Sequence, residues 1–275
     1  MPDRGQLARA RFYTLYTDSL AAAIGTLSDL EDADEQDILV ALTGTLTLVT
    51  AVVASYQGNT KASINANIMV HEATSCLVAA KFHDAVTFTD RRIQPDAYRC
   101  ILRIIAWDKQ AADVPPDFCL PVDGDPDQVL FGAPRTFLTR HVEHHRYTRQ
   151  IRSTDALLQH QPKQVKDAIT SYFKKAKFKS FVSIPIDSGN KDVAVLSIQS
   201  TETEVFGYDK AEEQDMLQCV VPFRAILAYI LREYERVQRT GAPYVEQETG
   251  TTRNGQTGAI SRRTRTSTRV HGNRD

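Results

Sequence analysis

His141, His144 and His145 lie in TRHVEHHRYTRQIR, the stretch of this chain where residue types capable of chemistry are densest. On a helix, a spacing of i, i+3 and i+4 would bring the three imidazoles to one face, an arrangement that can hold a divalent metal. Arg140, Arg146, Arg149 and Arg152 stand among them, so the same stretch could instead receive an anion through charge-assisted hydrogen bonds. A run this polar also has the composition of a solvated basic helix. That is the expectation here, and no metal is assigned.

Other chemistry is conspicuous by what the chain lacks. It has no phosphate-cradling glycine loop, no Gly-x-Ser-x-Gly nucleophile turn, no His-Glu-x-x-His and no kinase signature, so an enzyme of a common motif class is not expected. Cys76, Cys100, Cys119 and Cys219 are widely spaced, form no Cys-x-x-Cys pair and sit mostly in apolar surroundings. They read as reduced, buried thiols of a cytoplasmic protein. The formal net charge of -1 creates no global field toward nucleic acid or an anionic membrane.

The elements that must position these residues follow from periodicity. With 275 residues and 42% hydrophobic composition, the chain can bury one good-sized core or two small ones. Through residues 6–30, Tyr16, Leu20, Ala23, Leu27 and Leu30 step by fours and threes, the seam of helices packed side by side. The acidic run DLEDADEQD ends this segment, and its carboxylates favour the positive start of a second helix at 37–57. Residues 38–56, ILVALTGTLTLVTAVVASY, are uncharged over nearly the length that crosses a bilayer. However, Thr43, Thr47 and Thr50 line one side while Leu39, Leu42, Leu46, Val49, Val53 and Tyr56 line another. A helix with one buried face is expected, and membrane association is not. Asp18 interrupts the only apolar run near the start that could serve as an export signal.

Strands are expected at 62–72, 76–82, 86–90 and 97–107, with Ile64, Ala66, Ile68 and Val70 forming the core side of the first. Residues 162–176 read as a lysine-rich helix. FKSFVSIPIDSGNKDVAVLSIQS then reads as two β-branched strands around a Ser-Gly-Asn turn. Asp209 and Glu212 fit a helix-start capping box. Met216, Val220, Phe223, Leu227, Ile230, Tyr234 and Val237 follow as an unbroken stripe, with Leu217, Val221, Ala228 and Leu231 beside it. Pro222, inside the stripe, should kink or break the helix. Beyond Thr240 large apolar residues almost vanish, so 239–275 is expected to be a disordered basic tail. Its Arg262, Arg263, Arg265 and Arg269 suit an acidic partner or nucleic acid.

The stretch 178–238 resembles the end of a GAF domain, a small-molecule-sensing and dimerising family. The resemblance is carried by the strand 180–186 with Pro185, the strand 194–200 ending in Ser200, Phe206 with Asp209, and the long helix 209–238. It covers about residues 36–238 and implies an α+β fold, an antiparallel sheet with helices packed on its faces. On this likeness the domain opens with the helix at 37–57, SINANIMVHE is its first strand, and 128–139 holds a short pocket helix. Residues 1–35 are then an N-terminal helical extension and 239–275 the tail.

The resemblance also implies a ligand pocket lined by one sheet face and its lid, which makes Arg99, Arg103, Arg135, Ser183 and Ser197 the candidate ligand-binding residues. Arg99 and Arg103, four apart, share a strand face. The cyclic-nucleotide variant of the family is not matched, because Asn190-Lys191 precede the strand at 194–200 instead of following it. Trp107 is followed by Asp108, Lys109 and Gln110, not by the segment that free methionine sulfoxide reductases of this fold require. No Cys-His pair matches bilin or haem attachment. What the resemblance implies is a cytoplasmic sensory or regulatory protein that binds a small molecule and signals to a partner chain through its terminal helices. The ligand and any cofactor stay unassigned. The stripe on the last helix adds an expectation of a homodimer. The alternative is a scaffold subunit that dimerises through the same helices and binds no ligand.

Overall fold

Alternating strands and striped helices meet on a single sheet. The computed structural model of the chain describes residues 4–58, 62–73, 86–88, 91–93, 100–108, 119–122, 129–149, 158–159, 163, 166–167, 169–170, 173, 177–187 and 193–241. In chain order the elements are α1 (Arg4–Gly25) with a 3-10 turn (Thr26–Asp29), α2 (Glu35–Gln57), β1 (Ile64–Ala73), β2 (Val86–Phe88), β3 (Arg91–Ile93), β4 (Cys100–Trp107), β5 (Cys119–Pro121), α3 (Ala133–Thr139), β6 (Glu143–His145), β7 (Ser180–Asp187), β8 (Val193–Ser200) and α4 (Lys210–Gly241). A six-stranded sheet runs β5-β4-β1-β8-β7-β6, every neighbouring pair antiparallel. β2 and β3 pair with each other. The α+β class expected from sequence is the observed one.

The period of two divides this sheet cleanly. Ile64, Ala66 and Ile68 of β1, Val182, Ile184 and Ile186 of β7, and Ala194, Leu196 and Ile198 of β8 face a core shared with α1, α2 and α4. Each fully buried aliphatic side chain there contributes about 1.5–3 kcal/mol. Asn67, Met69, Phe181, Ser183, Val195, Ser197 and Gln199 take the opposite face by the same alternation.

α2 begins at a reciprocal cap: Asp34 Oδ1 accepts from the Asp37 N–H at 2.9 Å, and Asp37 Oδ2 accepts from the Asp34 N–H at 3.3 Å. Such a pair stabilises a helix start by about 1 kcal/mol, so the acidic run acts by specific hydrogen bonds as well as by charge. Leu42, Leu46, Val49 and Val53 are buried as the stripe requires, while Leu39 and Tyr56 are half-buried and Ile38 joins the core. The threonine side differs from expectation: Thr47 is exposed and Thr43 half-buried, but Thr50 is buried, as is Thr45, because α2 lies among α1, α4 and the sheet and has little surface left. The Thr45 and Thr50 hydroxyls donate to backbone carbonyls within the helix. By length and composition α2 and α4 are apolar enough to cross a bilayer, yet half of the α2 window is buried inside the fold.

At α4, Asp209 Oδ1 accepts from the N–H groups of Ala211 and Glu212, while Glu212 reaches back to the Tyr208 N–H at 2.9 Å, one residue earlier than the expected box. The helix continues through Pro222 without the expected break, since Val220 and Phe223 on either side are fixed in the core. Its stripe from Met216 to Tyr234 is buried within this one chain, and so are Ala228 and Leu231 of the neighbouring strip. The described residues from Arg4 to Gly241 form one compact unit. The expected strand at 76–82, Arg99, Asn190-Lys191 and nearly all of the expected tail lie outside the described residues.

Candidate functional site

The sheet face turned away from the three long helices holds a cavity of about 620 Å³, counting its opening to solvent. Its enclosed part has room for on the order of five waters. Met69, Ile104, Phe181, Ser183, Ser197, Gln199 and Asn67 line its sheet side. Leu120, the Leu130–Ala133 turn, Ile169, Phe173 and Phe178 close the other.

Strand register builds the floor. It aligns Asn67 with Ser197, Ser197 with Ser183, and Ser183 with Glu143 across β1, β8, β7 and β6, so a polar row crosses an otherwise apolar chamber. The Ser183 and Ser197 hydroxyl oxygens are 3.5 Å apart, too long for a firm bond. Asn67, 3% exposed, has a buried Oδ1 with no hydrogen-bond partner among the described residues. A group left so costs about 1–3 kcal/mol.

Glu143 closes the row at the edge strand. Its Oε2 accepts from the Gly132 N–H at 2.8 Å, and its Oε1 lies 2.7 Å from His145 Nε2 and 3.4 Å from Arg135 Nη1. Gly132, at φ 78°, brings this turn against the Phe181 ring, which a Cβ would meet at 3.2 Å. His145 stacks on Phe181 at 4.7 Å between centroids.

β6 also settles the histidines. The helix on which His141, His144 and His145 would share a face is replaced by a strand, because Glu143–His145 pairs with β7. His144, opposite Val182, points to the helical core, and His145, opposite Phe181, points to the cavity side; His141 is exposed. No cluster of metal ligands occurs among the described residues. His144 Nδ1 lies 3.0 Å from Glu213 Oε2 in the first turns of α4. Burial pulls the His144 pKa below its ordinary value, against the pull of Glu213.

Of the residues singled out from sequence, Ser183 and Ser197 come together on the cavity floor. Arg103 pairs across to Val70, which packs on the helical core, so the arginine is on the face away from the cavity. Arg135 lies outside the lining, held by Glu143. Arg99 is outside the described residues. Asn67 and Glu143 were missed, although the alternation of SINANIM already set Asn67 opposite the core side. Burial also pushes the Cys219 thiol up, away from a reactive thiolate.

Fold and cavity together define a class: an α+β domain with helices on one sheet face and a small-molecule-sized chamber on the other. The chain is similar to solved GAF-type structures. The GAF domain region of a Geobacter sulfurreducens PCA protein shares 13% identity over 68% of this chain and 93% of that one, with a TM-score of 0.36. fRMsr of Staphylococcus aureus, solved with its substrate, shares 12% over 78% and 95%, TM-score 0.35. The phycoerythrobilin-bound GAF domain of a cyanobacterial phytochrome shares 12% over 80% and 97%, TM-score 0.37. No family model and no curated protein matches the chain. Likenesses at this level transfer no residue role.

Proposed function

We propose that this chain is a GAF-like sensory or regulatory protein that binds a small molecule in the cavity and passes its occupancy to a partner chain through its terminal helices. One observation carries the reading: polar groups converge on the floor of a chamber whose described lining is otherwise apolar, whereas a scaffold would fill such a space with side chains. β6 supplies a physical link between chamber and helix. Glu143 holds the turn beside the cavity, and the next residue, His144, holds Glu213 near the start of α4. The reading assigns no bond-making chemistry to the site and places the protein in the cytoplasm. The partner is proposed to be a second copy meeting the exposed Val221 and Tyr229 of α4, by the same patch on each subunit.

Native mass spectrometry of protein purified from its own host tests this. A bound mass lost on denaturation is expected. Protein that carries none, and whose thermal stability no metabolite fraction raises, overturns the sensor reading in favour of the scaffold.

A further inference from the structure

The composition of the chamber restricts what it can hold. Its described lining contains no Lys, Arg, His, Asp or Glu. Arg103 lies on the other face of the sheet, and Arg135 is committed to Glu143. An ionised ligand would lose its hydration and meet no opposite charge among these described lining residues, which costs several kcal/mol. The walls are instead aromatic: Phe131 stacks on Phe173 at 5.7 Å between centroids, and Phe178 meets Phe181 edge-on at 6.0 Å. Such walls favour a flat, apolar body.

The polar floor adds direction. Asn67 is a carboxamide, with an acceptor oxygen beside a two-proton donor, and its oxygen is buried without a partner among the described residues. Ser197 stands directly across the sheet from it, with a hydroxyl bound only loosely to Ser183. A carboxamide edge pairs best with another edge that offers a donor beside an acceptor. Turning the Asn67 amide over merely reverses the order in which it does so.

Building on the cavity reading, we infer that the occupant is a neutral, planar, ring-sized compound presenting a carboxamide-like or lactam-like edge to Asn67, with its ring against the phenylalanine cluster. The edge satisfies the buried amide, and the ring fills the apolar volume.

Three probes of similar size test this on the full chain by calorimetry: benzamide, with ring and edge; toluene, with the ring alone; and benzoate, the anion. Benzamide should bind roughly tenfold more tightly than toluene, and benzoate should not bind. In Asn67→Leu the gap between benzamide and toluene should close while toluene binding persists. As a readout independent of that variant, the Asn67 side-chain NH2 signals in wild-type protein should shift with benzamide and stay put with toluene. Equal binding of toluene and benzamide overturns the inference and leaves the cavity reading standing. Tighter binding of benzoate overturns the neutrality of the ligand. Failure of all three overturns the inference and the cavity reading together.

Discussion

His144 shows how a single residue reports on the fold. Only 5% of its side chain is exposed, its Nδ1 is bonded to Glu213, and its Nε2 has no partner among the described residues. Because burial lowers its pKa below the ordinary 6.5, the folded chain binds that proton less readily than the unfolded one. The stability contributed by the neutral ring is therefore complete above pH 6.5 and is lost as pH falls from there toward the folded pKa. His144→Gln should lose less stability than wild type between about pH 7 and about pH 5, read by urea unfolding at both ends of the window. Equal losses would count against a buried neutral His144. At Asn67 the sign is reversed, since its buried oxygen, unpaired among the described residues, costs the folded protein stability. Asn67→Leu should raise stability by about 1–3 kcal/mol, seen as a higher midpoint in thermal unfolding without ligand. A lower midpoint would mean that the amide is satisfied.

Among the elements, the approach to α4 is the most constrained. Gly207 has φ 115°, and a Cβ there would lie 2.5 Å from the backbone nitrogen of Glu213. The clash is with backbone, so a rotamer change cannot relieve it. Gly207→Ala should cost at least about 1–3 kcal/mol, a lower midpoint in urea, and an unchanged midpoint would show that the turn can shift. α2 makes a prediction of a different kind. Its apolar stripe is already occupied by the sheet, α1 and α4, so the full-length protein should be recovered without detergent. Recovery only from detergent-extracted membranes would mean that α2 leaves this packing for lipid.

At the scale of the whole molecule, the open matter is which surface a second copy would use. Leu227 is fully buried in its own core. Leu227→Asp should therefore unfold the chain, at a cost above about 3 kcal/mol, whatever the oligomeric state. Val221, 43% exposed, is the better probe: wild type should sediment as a dimer at micromolar concentration, and Val221→Glu as a monomer with unchanged helix content. A monomeric wild type would remove the homodimer from the proposal.

The features legible from residue order are local ones. The period of two in 64–70 and in the strands around 180–200, the stripe of the last helix, and the cap at Asp209 are each set by neighbours within a few residues, so they could be read one after another. Ser183 and Ser197 came from the family resemblance, and one hairpin pairs them. The cavity was decided only by tertiary structure. Its floor depends on β1 being inserted between β4 and β8, a pairing that sets Asn67 beside Ser197 from far along the chain. Its walls gather Phe131, Phe173, Phe178 and Phe181 from separate segments. The same long-range pairing turned the histidine run into an edge strand, because backbone hydrogen bonds to β7 outweigh a helical spacing that no local stripe of apolar residues supports.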